Sequence, residues 1–150
     1  MLRDVHQRSS IQDADGIAAV YDVTRSKYLS VARPSFVFGY DHKAAIAQTY
    51  LRTVDGVPSS QAGYLLPRDA TIVAVSIKLS ATANASIDIE VDRGGTFVLL
   101  TSITLTGEDE KIVTGLDLDA LAGDALVARV TAGPADHPVV SVETAWRLTI

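Results

Sequence analysis

Ile87-Asp88-Ile89-Glu90-Val91-Asp92-Arg93-Gly94-Gly95-Thr96-Phe97-Val98-Leu99-Leu100 is the stretch that decides the fold class of this 150-residue chain. Ile87, Ile89 and Val91 alternate with Asp88, Glu90 and Asp92, a period of two that belongs to a strand with one buried and one wet face. Asp92-Arg93-Gly94-Gly95 then reads as a tight hairpin turn, because glycine reaches the positive φ such turns need without steric cost. Phe97 to Leu105 follows as the returning strand.

Working outward, Thr71 to Leu79, Lys111 to Leu118 and Ala125 to Thr131 are rich in Val, Ile, Leu and Thr and read as further strands. At the C-terminal end Val140, Val142, Thr144, Trp146, Leu148 and Ile150 are set against Val139, Ser141, Glu143, Ala145, Arg147 and Thr149, so the chain ends inside a strand. Gly107-Glu108-Asp109 and Ala132 to Pro138 read as breaks, and only Leu116 to Asp124 leaves room for a helical turn. Short strands with turns at this spacing predict an all-β fold, an antiparallel β-sandwich or jelly roll, with the jelly roll preferred. Thr71 to Leu79 and Phe97 to Leu105 are apolar on both faces, so the second face needs a cover from the chain's own arm or from another subunit.

The first half differs. Gln12 to Gly16 is a polar turn, Ile17 to Val23 a strand, Ser35 to Phe38 an extended run after Pro34, Asp41 to Gln48 one or two helical turns, Thr49 to Val54 a strand, and Val57 to Gly63 a loop. Weak periodicity up to about Ala45 divides the chain into an extended N-terminal arm, residues 1–45, and a sandwich, residues 46–150. At about 3.3 Å per residue, ten to fifteen extended residues reach roughly 35–50 Å, enough to cross onto a neighbouring subunit.

Composition narrows the function. Apolar residues make up 47% and charged residues 21%, which predicts a folded soluble domain. With no cysteine, thiolate catalysis, cysteine metal sites and disulfides are excluded. The polar start Met1 to Ser10 has no secretory signal and no later stretch is long enough to span a membrane, predicting a protein made in the cytosol without membrane insertion. Net charge is −5 and the basic residues stand singly, so nucleic acid is not the expected partner.

Chemistry-bearing residues are sparse. His6, His42 and His137 have neither a second histidine nor a carboxylate at helical ligand spacing. Asp13-Ala14-Asp15-Gly16 opens like a calcium loop, but Thr24 stands where the closing glutamate belongs, which favours a turn held by aspartate side chains. Asp117 and Asp119 share a strand face as a metal pair or as solvated carboxylates, the latter preferred. Ser59-Ser60 lacks the nucleophile-elbow context, and Gly94-Gly95 lacks the Lys-Ser/Thr and helix of a phosphate cradle. Trp146 reads as a core residue. Tyr21, Tyr28, Tyr40, Tyr50 and Tyr64 all fall in the first half, where they suit an interface or cap the end of the sandwich. No enzyme and no cofactor is expected.

Asp22-Val23-Thr24-Arg25-Ser26-Lys27-Tyr28-Leu29-Ser30-Val31, then Phe36-Val37-Phe38-Gly39, Tyr50-Leu51-Arg52 and Gly63-Tyr64-Leu65-Leu66-Pro67-Arg68-Asp69-Ala70-Thr71-Ile72, resemble small β-sandwich modules of tailed bacteriophage structural proteins, the fibres, spikes and head decoration proteins. The likeness covers roughly residues 22–150 and carries no catalytic residue. It implies a non-enzymatic virion protein, oligomeric and commonly trimeric, on the virion surface with other virion proteins as partners. The short leader favours a compact decoration, collar or spike subunit over a long fibre. On that reading the arm anchors the protein through Tyr21, Arg25, Tyr28, Phe36 and Phe38. The alternative is a receptor- or glycan-binding module using the loops Ser59 to Gly63 and Pro134 to Pro138 on a host surface.

Overall fold

The computed structural model describes residues 10–44 and 49–148. They form β1 (Ser10–Gln12), β2 (Ala18–Asp22), β3 (Lys27–Ser30), β4 (Ser35–Gly39), β5 (Lys43–Ala44), β6 (Thr49–Tyr50), β7 (Tyr64–Leu65), β8 (Ala70–Arg93), β9 (Thr96–Val113), β10 (Leu118–Ala120), β11 (Ala125–Ala132), β12 (Ala135–Asp136) and β13 (Val139–Leu148). Every pairing is antiparallel, and no helix occurs among the described residues.

The spine is the 24-residue strand β8, which returns as β9 through Gly94-Gly95. Arg93 pairs with Thr96 and both glycines have positive φ (60° and 92°), the two-residue turn whose twist matches the flanking strands. The register with β9 shifts between Lys78 and Ala85, and there the ribbon passes from one sheet into the other. Its first half pairs with β13, which carries β4 on its far edge; its second half pairs with β11, which carries β6 and β7. A long hairpin whose halves lie in opposite sheets is the rolled arrangement of a jelly-roll β-sandwich.

The inner faces meet in one apolar cluster. Ile72, Val75, Ile77 and Leu79 come from the first half of β8, Ile87, Ile89 and Val91 from the second, with Phe38, Val142, Leu126 and Leu105 from β4, β13, β11 and β9. The double-faced apolar runs have a local cause. Glu143 faces Ala74 while Thr144 faces Ile72, so Val73 is an extra residue, and Leu100 is likewise extra opposite Ile89-Glu90. Each bulge flips the phase of the alternation. Val73 consequently points outward, where Leu29 and Ala145 bury it, so at this spot the cover comes from the chain itself.

The first forty residues differ from a free arm. Residues 1–9 lie outside the described residues; from Ser10 the chain folds back twice into the meander β1-β2-β3. Asp13 shapes the first turn by accepting from the N–H groups of Asp15 and Ile17, and Asp22 the second by accepting from that of Arg25. β3 adds to the end of β13, Tyr28 opposite Leu148, and Ala19, Tyr28 and Leu148 form a small second core. β4 lies inside the sandwich with Phe38 fully buried, so the sheet begins near Ser35 and a boundary at residue 45 cuts through it.

Three further expectations are corrected. Asp41 to Ala44 is a bend leading into β5, which pairs with β12, and no helical turn forms there; residues 45–48 lie outside the described residues. Leu116 to Asp124 holds β10 followed by a turn in which the Asp124 carboxylate accepts from the Leu121 N–H. Gly107 to Asp109 stays within β9, at the bend of the ribbon.

Candidate binding surface

At one end of the sandwich, the last residues of β4 and the turn after Leu51 enclose an open groove of about 510 Å³ lined by Val37, Tyr40, Asp41, Arg52, Val54 and Val139, together with Gly39, Thr53 and Gly56. Arg52 is locked between two chain segments. Its N–H donates to Gly39 O (2.7 Å), its carbonyl accepts from Gly39 N–H (2.9 Å), and Ser59 N–H donates to Leu51 O next to it (2.8 Å). The guanidinium lies 5.7 Å from the centre of the Tyr40 ring and donates through Nη1 to Gly56 O at 2.6 Å. Its Nε–H is buried with no acceptor among the described residues.

Among the described residues, Arg52 differs from five other arginines, which are ion-paired, and from Arg33, which has no ion pair either but is exposed to solvent. Arg25 pairs with Asp22, Arg68 with Asp13 and Asp15, Arg93 with Asp124, Arg129 with Asp88 and Glu90, and Arg147 with Asp69 and Asp119. No carboxylate of the described residues lies within ion-pair distance of Arg52. A half-buried guanidinium with no carboxylate at ion-pair distance, in a mostly apolar groove whose one acid, Asp41, is solvent-exposed, is poised for an anion.

The groove opens onto the outer face of the first sheet. Val37, Ser141, Ser76 and Ile112 form one cross-strand row over four strands, flanked by the row Gly39, Val139, Lys78, Glu110. A shallow cleft of about 150 Å³ runs along Ser35, Ala74, Ser76, Ile112, Thr114, Ser141 and Glu143. Small side chains keep the middle flat, and Ile112 is 74% exposed at the far edge.

The opposite outer face is closed only around Arg129; towards the hairpin turn Leu99 (55% exposed) and Phe97 (40%) stay open. Tyr50, Arg129, Asp88 and Ser102 form one cross-strand row, with Glu90 in the next. Arg129 donates to Glu90 at 2.8 Å and lies 3.6 Å from Asp88, Ser102 donates to Asp88 at 2.6 Å, and the guanidinium stacks on Tyr50, whose ring meets Phe97 at 5.8 Å. The expected solvent face of this strand is therefore buried at Asp88 and Glu90. Burial pushes the Glu90 carboxyl above its ordinary value; Arg129 pulls it down, and the neighbouring Asp88 raises it further.

The predicted anchor residues divide. Phe38 and Tyr28 are buried in this chain's own cores and offer no surface to a second molecule. Phe36 packs on Tyr64, Tyr21 meets Tyr28 edge-on, and Arg25 donates to Asp22 and to Leu116 O; these three remain partly exposed. The five tyrosines hold elements of one chain together: Tyr64, for example, packs on Phe36 and Phe38, donates to Val37 O and accepts from Val54 N–H. Trp146 is half-buried between the two cores.

The polar clusters resolve as structure. Asp117 and Asp119 are solvent-exposed carboxylates, as preferred, and they meet cations: both accept from Lys27, and Asp119 also from Thr71 and Arg147. Burial opposes ionisation of Asp119, yet the bonds from Lys27 and Thr71 and the Arg147 charge hold it below its ordinary value. The Asp13 carboxylate holds its turn, and Asp13 and Asp15 both accept from Arg68. His42 and His137 meet through a backbone hydrogen bond, but each ring faces its own neighbour, Asp41 or Asp136; His6 lies outside the described residues. Among the described residues no group of three or more histidine, aspartate or glutamate side chains gathers.

The loops named for a host surface are partly internal. Ser59 is buried and exchanges hydrogen bonds with Ala128, Gly63 packs against Leu126, and Ala135 is buried in β12. The groove at Arg52 and Tyr40 was missed, although Tyr50-Leu51-Arg52 lies within the quoted motifs. An isolated arginine after an apolar pair carries no sign that its carboxylate is lacking.

No family model and no curated protein matches this sequence. Solved structures with a similar fold include the carbohydrate-binding module CBM36 in complex with calcium and xylotriose, 13% identical over 79% of this chain and 100% of that one, TM-score 0.42. The N-terminal cellulose-binding domain of Cellulomonas fimi β-1,4-glucanase C is 13% identical over 96% of both chains, TM-score 0.36. The virus-like particle of Macrobrachium rosenbergii extra small virus is 12% identical over 80% of this chain and 82% of that one, TM-score 0.26. Likeness at this level assigns neither a family nor a function.

Proposed function

We propose that the chain is a non-enzymatic virion structural protein of a tailed bacteriophage, a surface decoration, spike or collar subunit that associates with copies of itself, in threes, and with other virion proteins. The observation that carries this reading is the uncovered outer face of the first sheet. A flat row of small residues ending in exposed Ile112 is surface that a partner buries at little conformational cost. The motifs from Asp22 to Ile72 support the setting on a virion. The N-terminal segment contributes as a clamped meander, with Tyr21 and Arg25 on it and Phe36 on β4 each keeping part of their surface open to contact. Immunogold electron microscopy of intact virions tests it: label on head, neck or tail is expected, and label on no particle refutes the virion role.

A second reading, a glycan-binding module for a host surface, is favoured by the groove at Arg52. Its size and mixed lining fit a small polar ligand, and a rigid scaffold holds its walls. The two readings are compatible in one protein.

A further inference from the structure

We infer that the groove between β4 and the 52–56 turn binds an acidic sugar, a pyranose carrying a carboxylate, with Arg52 as the group that recognises the acid. The inference rests on the glycan-binding reading and adds the ligand class. Three observations carry it. First, the Arg52 guanidinium is half-buried with no carboxylate partner among the described residues, whereas five other arginines are paired and Arg33, also without one, is exposed to solvent. Nη1 donates to Gly56 O and Nε is buried, so the donors left for a ligand are those of Nη2 and the second hydrogen of Nη1, with the Tyr40 ring beside their plane. A pre-oriented guanidinium with unused donors matches a planar carboxylate. Second, Val37, Val54 and Val139 give the groove an apolar wall, which suits the C–H face of a pyranose. Third, the charge balance favours an anion despite Asp41, the one carboxylate in the lining. The Asp41 side chain is 79% exposed, so water screens it far more than it screens half-buried Arg52.

Titration of the full-length protein by isothermal calorimetry and amide chemical shifts tests this, with sialyllactose and a glucuronate-containing tetrasaccharide against lactose and cellotetraose. The expected result is binding of the acidic sugars alone, with shifts at Gly39, Tyr40, Thr53 and Gly56. Arg52→Gln should weaken it roughly tenfold to a hundredfold, the worth of a charged hydrogen-bonded pair. Because Arg52 also braces the 53–56 turn, Val54→Glu is the control: Val54 is 78% exposed, so the fold stays intact while the new charge repels the acid and weakens binding. Asp41→Asn should tighten it. If neutral and acidic sugars bind alike and the three variants change nothing, the acid-specific inference is overturned while the glycan reading stands. If no sugar binds, both fall.

Discussion

Glu90 and Asp88 share a single arginine as their counter-charge, and that arrangement has consequences for stability. Removing Arg129 strands two buried carboxylates beside each other, so Arg129→Met should cost about 3–5 kcal/mol in urea unfolding, the usual penalty for breaking a buried ion pair from one side. A loss below about 1 kcal/mol would mean that water already reaches both acids. The pH dependence has a defined sign. A carboxyl raised in the folded state, as burial raises Glu90, holds its proton more tightly there; it stabilises the fold below its unfolded value and gives that stability up as pH rises through its folded value. Glu90→Gln should therefore gain melting temperature relative to the parent on going from about pH 4 to pH 7. A difference between the two proteins that does not vary with pH contradicts the assignment. Asp124 works in the opposite sense, because the hydrogen bond from Arg93 keeps it below its ordinary value, and its contribution is lost as pH falls through that lowered value. The sequence alternation of Asp88 and Glu90 correctly identified their face, but it could not say what lies over that face. The cover is Arg129, brought in by β11, and the Tyr50 ring stacked on it, which comes from a distant segment.

At the level of elements, the hairpin was legible because each of its signals is local: a period of two and a Gly-Gly turn. The bulges at Val73 and Leu100 were not legible as bulges. One inserted residue swaps the faces, so a sequence with apolar residues in both phases reads the same whether a strand is buried on both sides or shifted in phase partway. A second feature invisible in sequence is close approach. Gly63 reads simply as a loop residue, yet a Cβ placed on it would stand 2.3 Å from the carbonyl oxygen of Leu126, where β7 meets β11. Gly63→Ala should force β7 away from β11 and cost about 1–3 kcal/mol, the range for overpacking a tight site. Gly39 offers the comparison: its φ is not positive and a Cβ there would stand in ordinary contact, 3.8 Å from Pro138 O. Urea midpoints of Gly63→Ala and Gly39→Ala measure the difference, and equal midpoints would show that β7 yields freely.

For the whole molecule, the question is where the sandwich starts and what it leaves uncovered. If the outer face of the first sheet joins copies of the chain, Ile112→Glu should shift the protein to monomers in sedimentation without altering its melting temperature, since a 74% exposed side chain contributes little to the fold. A monomeric parent protein would remove the basis for self-association. The N-terminal segment separates into two parts by the same physical test. Residues 10–30 cover an existing sheet: Leu29 lies on Val73, Tyr28 on Leu148, and Lys27, Arg25 and Asp13 tie the meander to Asp117, Leu116 and Arg68. Their removal uncovers apolar surface but takes no strand out of the main core. Deleting residues 1–30 should therefore leave a folded protein with a lower melting temperature and a tendency to self-associate through the exposed Val73 and Trp146. Deleting residues 1–45 also takes away β4, with fully buried Phe38 and the Pro34 carbonyl that accepts from the Thr144 N–H and hydroxyl. The loss of Phe38 alone is worth about 3–5 kcal/mol, a large share of the roughly 5–15 kcal/mol that holds a domain of this size together, so the longer deletion should not fold. Circular dichroism and thermal melts of the two truncations decide the point: two folded proteins would place the start of the sandwich after Ala45, and two unfolded ones would make the meander part of the core.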